Sequence, residues 1–103
     1  MKTVDAFKKA RAMIQRGWCK KSAAVDSLGH MVDERSSKAC AWCIGGALSA
    51  SSGGMQGVFA AFRRHNNIDS IIGFNDDPSR IHSEVIAAFD RAIAAEEAKQ
   101  RSP

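Results

Sequence analysis

The sequence predicts a mainly α-helical domain of about four helices around one core, with a small β-hairpin or irregular β element between helices 1 and 2. Three observations lead there. Apolar residues recur at helical spacing in four separate stretches. Gly, Asn and Pro stops divide those stretches. Between them, residues 18–35 lose the period and carry turn chemistry instead. At 103 residues the chain reads as a single domain, residues 1–103, able to bury roughly two-thirds of its unfolded surface without metal or disulfide.

The first helix runs from Thr3, an N-cap type, with Val4, Phe7, Ala10 or Arg11, and Ile14 as its apolar positions and Gly17 as its left-handed stop. "DSLG", Asp26 to Gly29, supplies the turn of the small β element, which must lie against the helices because a lone ribbon is marginal. The second helix is expected from Ser36 or Ser37 to about Ala50, broken at Gly53 and Gly54. The third spans about Met55 to Asn66, with Met55, Val58, Phe59 and Phe62 inward and Asn66–Asn67 as its stop. "IDSIIGFNDDPSR" then reads as a connection with one short extended piece at Ile71 and Ile72. Asp77 and Pro78 suit the cap and first position of a last helix carrying Ile81, Val85, Phe89, Ala92 and Ile93. Residues 96–103 are expected to fray.

Composition narrows the function classes. The chain is 45% hydrophobic and 25% charged, which suits a globular fold and not a disordered one. It has no signal-peptide core and no apolar run long enough for a membrane span, so a cytoplasmic protein without a membrane partner is expected. A net charge of +4 favours an anionic partner without choosing among nucleic acid, nucleotide and acidic protein surface. The basic residues scatter and no aromatics interleave with them, so sequence-specific nucleic-acid binding is unlikely on pattern.

"SSKACAWCIGGALSAS", Ser36 to Ser51, carries the densest chemistry. On a continuous helix, Cys40, Cys43, Ile44, Ala47 and Leu48 form one apolar stripe, and free cysteine packs there as a small hydrophobe. Gly45 and Gly46 weaken such a helix, so close approach of another element or a ligand should compensate. A zinc reading would join Cys40 and Cys43 to Cys19 and to His30 or His82, but C-x2-C inside a helical pattern is a poor knuckle. No metal and no cofactor is expected. A nucleophile reading would pair Cys43 with His82 and with Asn75 or Asp76. It suffers because Cys43 would sit in the second turn, beyond most of the helix dipole's help, unless the helix began at Trp42. In "GFNDDPSRIH", Asn75 and Asp76 are either an Asx turn or the floor of a polar pocket, with His82 one turn into the next helix and half-buried.

"RGWCKKSAAVDSLGHMVD", "ACAWCIGGAL" and "GFNDDPSRIHSEVIAAFDRAI" together resemble a family of small uncharacterised bacterial and phage proteins. Its pattern is roughly GWC, an Asp-rich turn, WC-x2-GAL, and an aromatic-Asn-Asp stretch before a histidine-bearing helix. The resemblance spans about Ala6 to Ala94 and falls on Gly17, Trp18, Cys19, Trp42, Cys43, Gly46, Ala47, Asn75, Asp76 and His82. Cys40 lies outside it, Phe74 stands where tryptophan is more typical, and the prolines after the Asp-rich turn are missing. The resemblance implies a shared architecture and a shared site, with no assigned activity.

The expected function is a small non-catalytic binding module of phage or mobile-element type. Its ligand-binding residues would be Trp18, Cys19, Trp42, Cys43, Gly46, Asn75, Asp76 and His82. The partner would be a host protein, for example of a defence system, or a small anionic ligand such as a nucleotide. Two alternatives stand beside it: a cysteine-dependent hydrolase or transferase using Cys43, His82 and Asp76, and a ligand-free structural protein that forms a homo-oligomer.

Overall fold

The computed structural model describes residues 2–101. It is mainly helical, with five helices and a two-stranded antiparallel sheet between the first helix and the second. The order is α1 (Thr3–Arg16), β1 (Ala24–Val25), β2 (Ala41–Trp42), α2 (Ile44–Ser52), α3 (Val58–Asn66), α4 (Ile71–Asp76) and α5 (His82–Arg101).

α1 is the central element and packs against α2 and α5. Its expected apolar face is buried, with Val4, Ala6, Phe7, Ala10 and Ile14 inside. Phe7 meets Phe62 of α3 edge-on at 6.0 Å between ring centroids, and Phe62 meets Phe89 of α5 at 4.9 Å. Three large rings on three helices thus close the core, the arrangement aromatic quadrupoles favour.

The ends of α1 differ from expectation. Thr3 is inside the helix, and its hydroxyl contacts Met55 Sδ at 3.8 Å while Lys2 holds the cap position. Gly17 is extended, at φ −178°, and not left-handed. Its reason for being glycine is steric: a Cβ there would lie 2.2 Å from the Cys40 carbonyl oxygen.

The largest correction concerns residues 36–43, which do not form the first half of α2. Ser36 and Asp33 organise turns, with Ser36 Oγ accepting from the Lys38 amide. Then the chain runs extended, and its backbone is hydrogen-bonded on both sides. Cys40 N–H donates to Val25 O at 2.8 Å and Cys43 N–H to Ala23 O at 3.1 Å. On the other edge, Trp42 N–H donates to Gly17 O at 3.0 Å and Cys19 N–H to Trp42 O at 3.1 Å. Trp42 therefore pairs antiparallel with Ala24 and in parallel with Trp18. These inter-segment bonds replace the intrahelical ones, and Cys40 ends up exposed while Ala39 and Trp42 are buried. The expected turn at Asp26–Gly29 is present, with Asp26 Oδ1 accepting from the Leu28 and His30 amides and Val25 bridging Met31.

α2 ends as expected on left-handed Gly53, at φ 60°. α3 starts later than expected, at Val58 after left-handed Gly57, and Asn67 stops it at φ 53°. Phe59, assigned to the inner face, is 38% exposed. The connection after α3 contains α4, where a turn of helix replaces the expected extended piece. Ser70 caps it, its hydroxyl accepting from the Gly73 amide at 2.9 Å. α5 begins four residues after Pro78, because Asp77 Oδ1 accepts from both Ser79 N–H and Oγ–H and closes a turn. Glu84 reaches back to the Ile81 amide at 3.0 Å, the reciprocal half of a capping box, and Ile81 is left outside the core. The helix then continues to Arg101, and Glu96, within the stretch expected to fray, is buried beside His65 at 2.5 Å.

Gly46 shows what compensates the weak glycine pair. A Cβ at Gly46 would lie 2.1 Å from the Ala23 carbonyl oxygen, whereas one at Gly45 would meet only Cys43 Sγ at 3.8 Å. Gly46→Ala is therefore expected to cost about 2–3 kcal/mol of stability, since the obstacle is backbone. Gly45→Ala should be neutral or gain up to about 1 kcal/mol from helix propensity. Urea denaturation of the two variants checks this contrast.

Burial pushes the Glu96 carboxyl up, but the hydrogen bond from His65 and the charge of Lys99 outweigh it and hold it below the usual value of 4.5. Below that value the unfolded chain takes up the proton first, so this contribution to stability is present above pH 4.5 and lost as pH falls. Urea midpoints followed from neutral pH to pH 3 should fall more steeply for the wild type than for Glu96→Gln.

Candidate functional site

An open cavity of about 610 Å³ lies between the start of α2, the exposed side of α3, and α4. That volume is in the range of small-ligand clefts. Its apolar surface comes from Phe59, Ile71 and Ile72, and the bare backbone of Gly45 and Gly46 forms one wall. Around these stand Lys21 and Arg63 on one side of the charge balance and Glu34, Asp69 and Asp76 on the other. Lys21 holds a left-handed backbone at φ 69°, unusual for a side-chain-bearing residue, and its amide donates to Asp76 Oδ1 at 2.9 Å.

Beneath the cavity, Asn75 joins three segments. It is 1% exposed. Its Oδ1 accepts from Trp18 Nε1 at 2.8 Å and from the Ile44 amide, the first of α2, at 2.9 Å. Its Nδ2 donates to Cys19 O at 3.1 Å and to Asp76 Oδ1 at 2.9 Å. All four hydrogen-bonding positions of the side-chain amide are used. Asn75 thus acts as the clamp between "GWC", the start of α2 and α4, and as an internal cap for one of α2's free amides.

The residues expected to form one ligand site divide into two groups. Cys43, Gly46, Asn75 and Asp76 line the cavity. Trp18, Cys19, Trp42 and His82 do not. Trp42 is buried, donates Nε1–H to Glu34 O at 2.9 Å, and is covered by the Arg16 guanidinium at 5.4 Å. Trp18 stacks on His82 with centroids 5.9 Å apart, with Lys20 Nζ on its ring at 5.3 Å. His82 is exposed, and its Nε2 meets the Ile14 carbonyl oxygen at 2.7 Å, so that nitrogen carries a proton and donates. Sequence patterns assigned none of Lys21, Glu34, Phe59, Arg63, Asp69 and Ile72 to the site, although all line the cavity. The readable signal was the Gly45–Gly46 pair, whose weak helix propensity asked for a close approach: Gly46 meets the Ala23 carbonyl and Gly45 lines the cavity.

Cys43 is the N-cap of α2, its Sγ accepting from the Gly46 amide at 3.2 Å. This is close to the helix start that a nucleophile would need. Burial nevertheless pushes its thiol up, outweighing the lowering by the Gly46 and Gly45 amides, and Asp76 adds to the rise. Cys19 goes further, up to about 11, through burial, then the charges of Cys43 and Asp76. Both are thiols at neutral pH. Cys40 stands apart, exposed, its Sγ against the Lys38 carbonyl at 3.4 Å. Among the described residues, no three His, Cys, Asp or Glu side chains converge as metal ligands would. No helix among them is long and apolar enough to cross a membrane.

The chain belongs to DUF6197, a family of unknown function. The match covers residues 1–95, from α1 through most of α5, so both the Asn75 clamp and the cavity lie inside the family's domain. No curated protein and no solved structure matches the chain.

Asn75→Ala leaves the Trp18 indole N–H and the Ile44 amide without acceptors, and is expected to cost about 2–4 kcal/mol. Urea unfolding followed by tryptophan fluorescence checks this, and the native emission of Trp18 should shift as its hydrogen bond is lost.

Proposed function

We propose that the protein is a non-catalytic binding module whose cavity receives an apolar side chain from a segment of a partner protein. The observation that carries this reading is the cavity itself, with Phe59, Ile71, Ile72 and bare Gly45 as its apolar lining and charges of both signs around them. An apolar pocket with a mixed polar rim is the composition of a protein-binding patch centre. The balance of two cations against three carboxylates gives no net attraction for a nucleotide, although the whole chain carries +4. In the phage or mobile-element setting that the sequence resemblance suggests, the partner is a host protein.

The polar residues beneath the cavity support binding over chemistry. Asn75 has no unused hydrogen-bonding position, Cys43 is held as a thiol, and His82 stands outside the cavity that Cys43 lines, stacked on Trp18. A Cys-His hydrolase needs an acidic thiol with a free imidazole base beside it. Thiol alkylation at neutral pH should accordingly modify exposed Cys40 first, with Cys19 and Cys43 labelled slowly until denaturant is added. Rapid selective labelling of Cys43 would favour the enzyme instead.

Gly45→Leu fills the cavity from a position that has room for a side chain, so it should leave the melting temperature near wild type. Short peptides with one aromatic or aliphatic residue between mixed charges should shift amide resonances of Gly45, Phe59 and Ile72 in the wild type and not in Gly45→Leu. Shifts produced there by a nucleotide panel and not by peptides would replace this reading with the anionic-ligand one. Binding of both that ignores Gly45→Leu would remove the cavity from the function.

A further inference from the structure

Cys19 and Cys43 are distant in sequence but share a backbone register. Trp18 and Trp42 form a parallel bridge, fixed by Trp42 N–H to Gly17 O at 3.0 Å and Cys19 N–H to Trp42 O at 3.1 Å. The next residue along each segment is a cysteine. Cys43 keeps the extended backbone, at φ −80° and ψ 170°. Adjacent strands lie about 4.8 Å apart, and residues at matching positions point to the same face. That spacing is within the range of about 4.4–6.8 Å between Cα atoms that a disulfide requires. Asn75 holds the pair from the other direction, bonded to Cys19 O and to the amide that follows Cys43. Both thiols are free and half-buried, and their sulfurs meet backbone groups, Cys19 Sγ donating to Ser22 O at 3.5 Å and Cys43 Sγ accepting from the Gly46 amide at 3.2 Å.

We propose that Cys19 and Cys43 form a dithiol modification site beside the cavity, which an oxidant of the peroxide class closes to an intramolecular disulfide while Cys40 stays out. One thiol loses its proton and attacks a peroxide oxygen. The O–O bond breaks, water leaves, and a sulfenic acid forms. The second sulfur attacks that sulfenyl sulfur, making the S–S bond and releasing a second water. Two thiols lose two electrons in all, and one hydrogen peroxide becomes two waters. The inference is independent of what the cavity binds.

The C-x2-C spacing makes the test decisive. In an unfolded chain Cys40 and Cys43 close the much shorter loop and should pair first. The fold separates them, exposing Cys40 and turning it to Lys38, and sets Cys19 beside Cys43 instead. Wild-type protein is oxidised with hydrogen peroxide, folded or in urea, then alkylated, digested without reductant and mapped by mass spectrometry. The expected result is a Cys19–Cys43 cross-link as the main folded product and Cys40–Cys43 as the main product in urea. In a Cys40→Ser variant, oxidation should raise the melting temperature by about 5–15 °C, reversed by dithiothreitol. A folded product dominated by Cys40–Cys43 or by dimers through Cys40 would overturn the proposal. So would sulfinic acid at Cys43 with Cys19 still alkylated, or a melting temperature lowered by oxidation.

Discussion

Asn75 has a buried side-chain amide with both of its ends in use, and each bond runs to a different stretch of chain. A buried amide left unpaired costs on the order of 1–3 kcal/mol per group, so those stretches are not free to drift apart. The "GWC" segment, the first turn of α2 and α4 are therefore held as one unit. That unit forms the wall between the helical core and the open cavity.

Two glycines make this arrangement possible by removing side chains. Gly17 lets the Cys40 carbonyl approach the end of α1, and Gly46 lets the Ala23 carbonyl approach the start of α2. Between these contacts, Trp42 spends both its N–H and its C=O on the "GWC" segment, while its neighbours Cys40 and Cys43 donate to β1 on the other edge. The sheet is only two residues wide per strand, yet it is braced by α1 on one side and by Asn75 on the other. Short strands of this kind are marginal alone and become stable when packed against helices. The cross-strand register that results also brings Cys19 to Cys43.

Charge is distributed in opposite ways at the two scales. The chain as a whole is basic, which draws it toward acidic surfaces at long range. The cavity carries more carboxylates than cations and a mostly apolar lining. The charge of the whole chain and the lining of the cavity are thus separate properties.

The sequence by itself determined the helical class, the buried stripe of α1, the inward Val58 and Phe62 of α3 and Val85, Phe89 and Ala92 of α5, the turn at Asp26, and the glycine and asparagine stops after α2 and α3. Those features rest on short-range rules: three- and four-residue spacing, and backbone conformations that few residue types allow. It also pointed to Asn75, Asp76, Cys43 and Gly46, which do meet at the cavity. Only the tertiary structure decided that residues 36–43 are extended, because their hydrogen-bond partners, Gly17, Cys19, Ala23 and Val25, lie about twenty residues away. It likewise separated Cys40 from Cys43 and engaged His82 with α1. Helical periodicity within "SSKACAWCIGG" was genuine but lost to these long-range bonds, since a backbone amide can serve only one ladder.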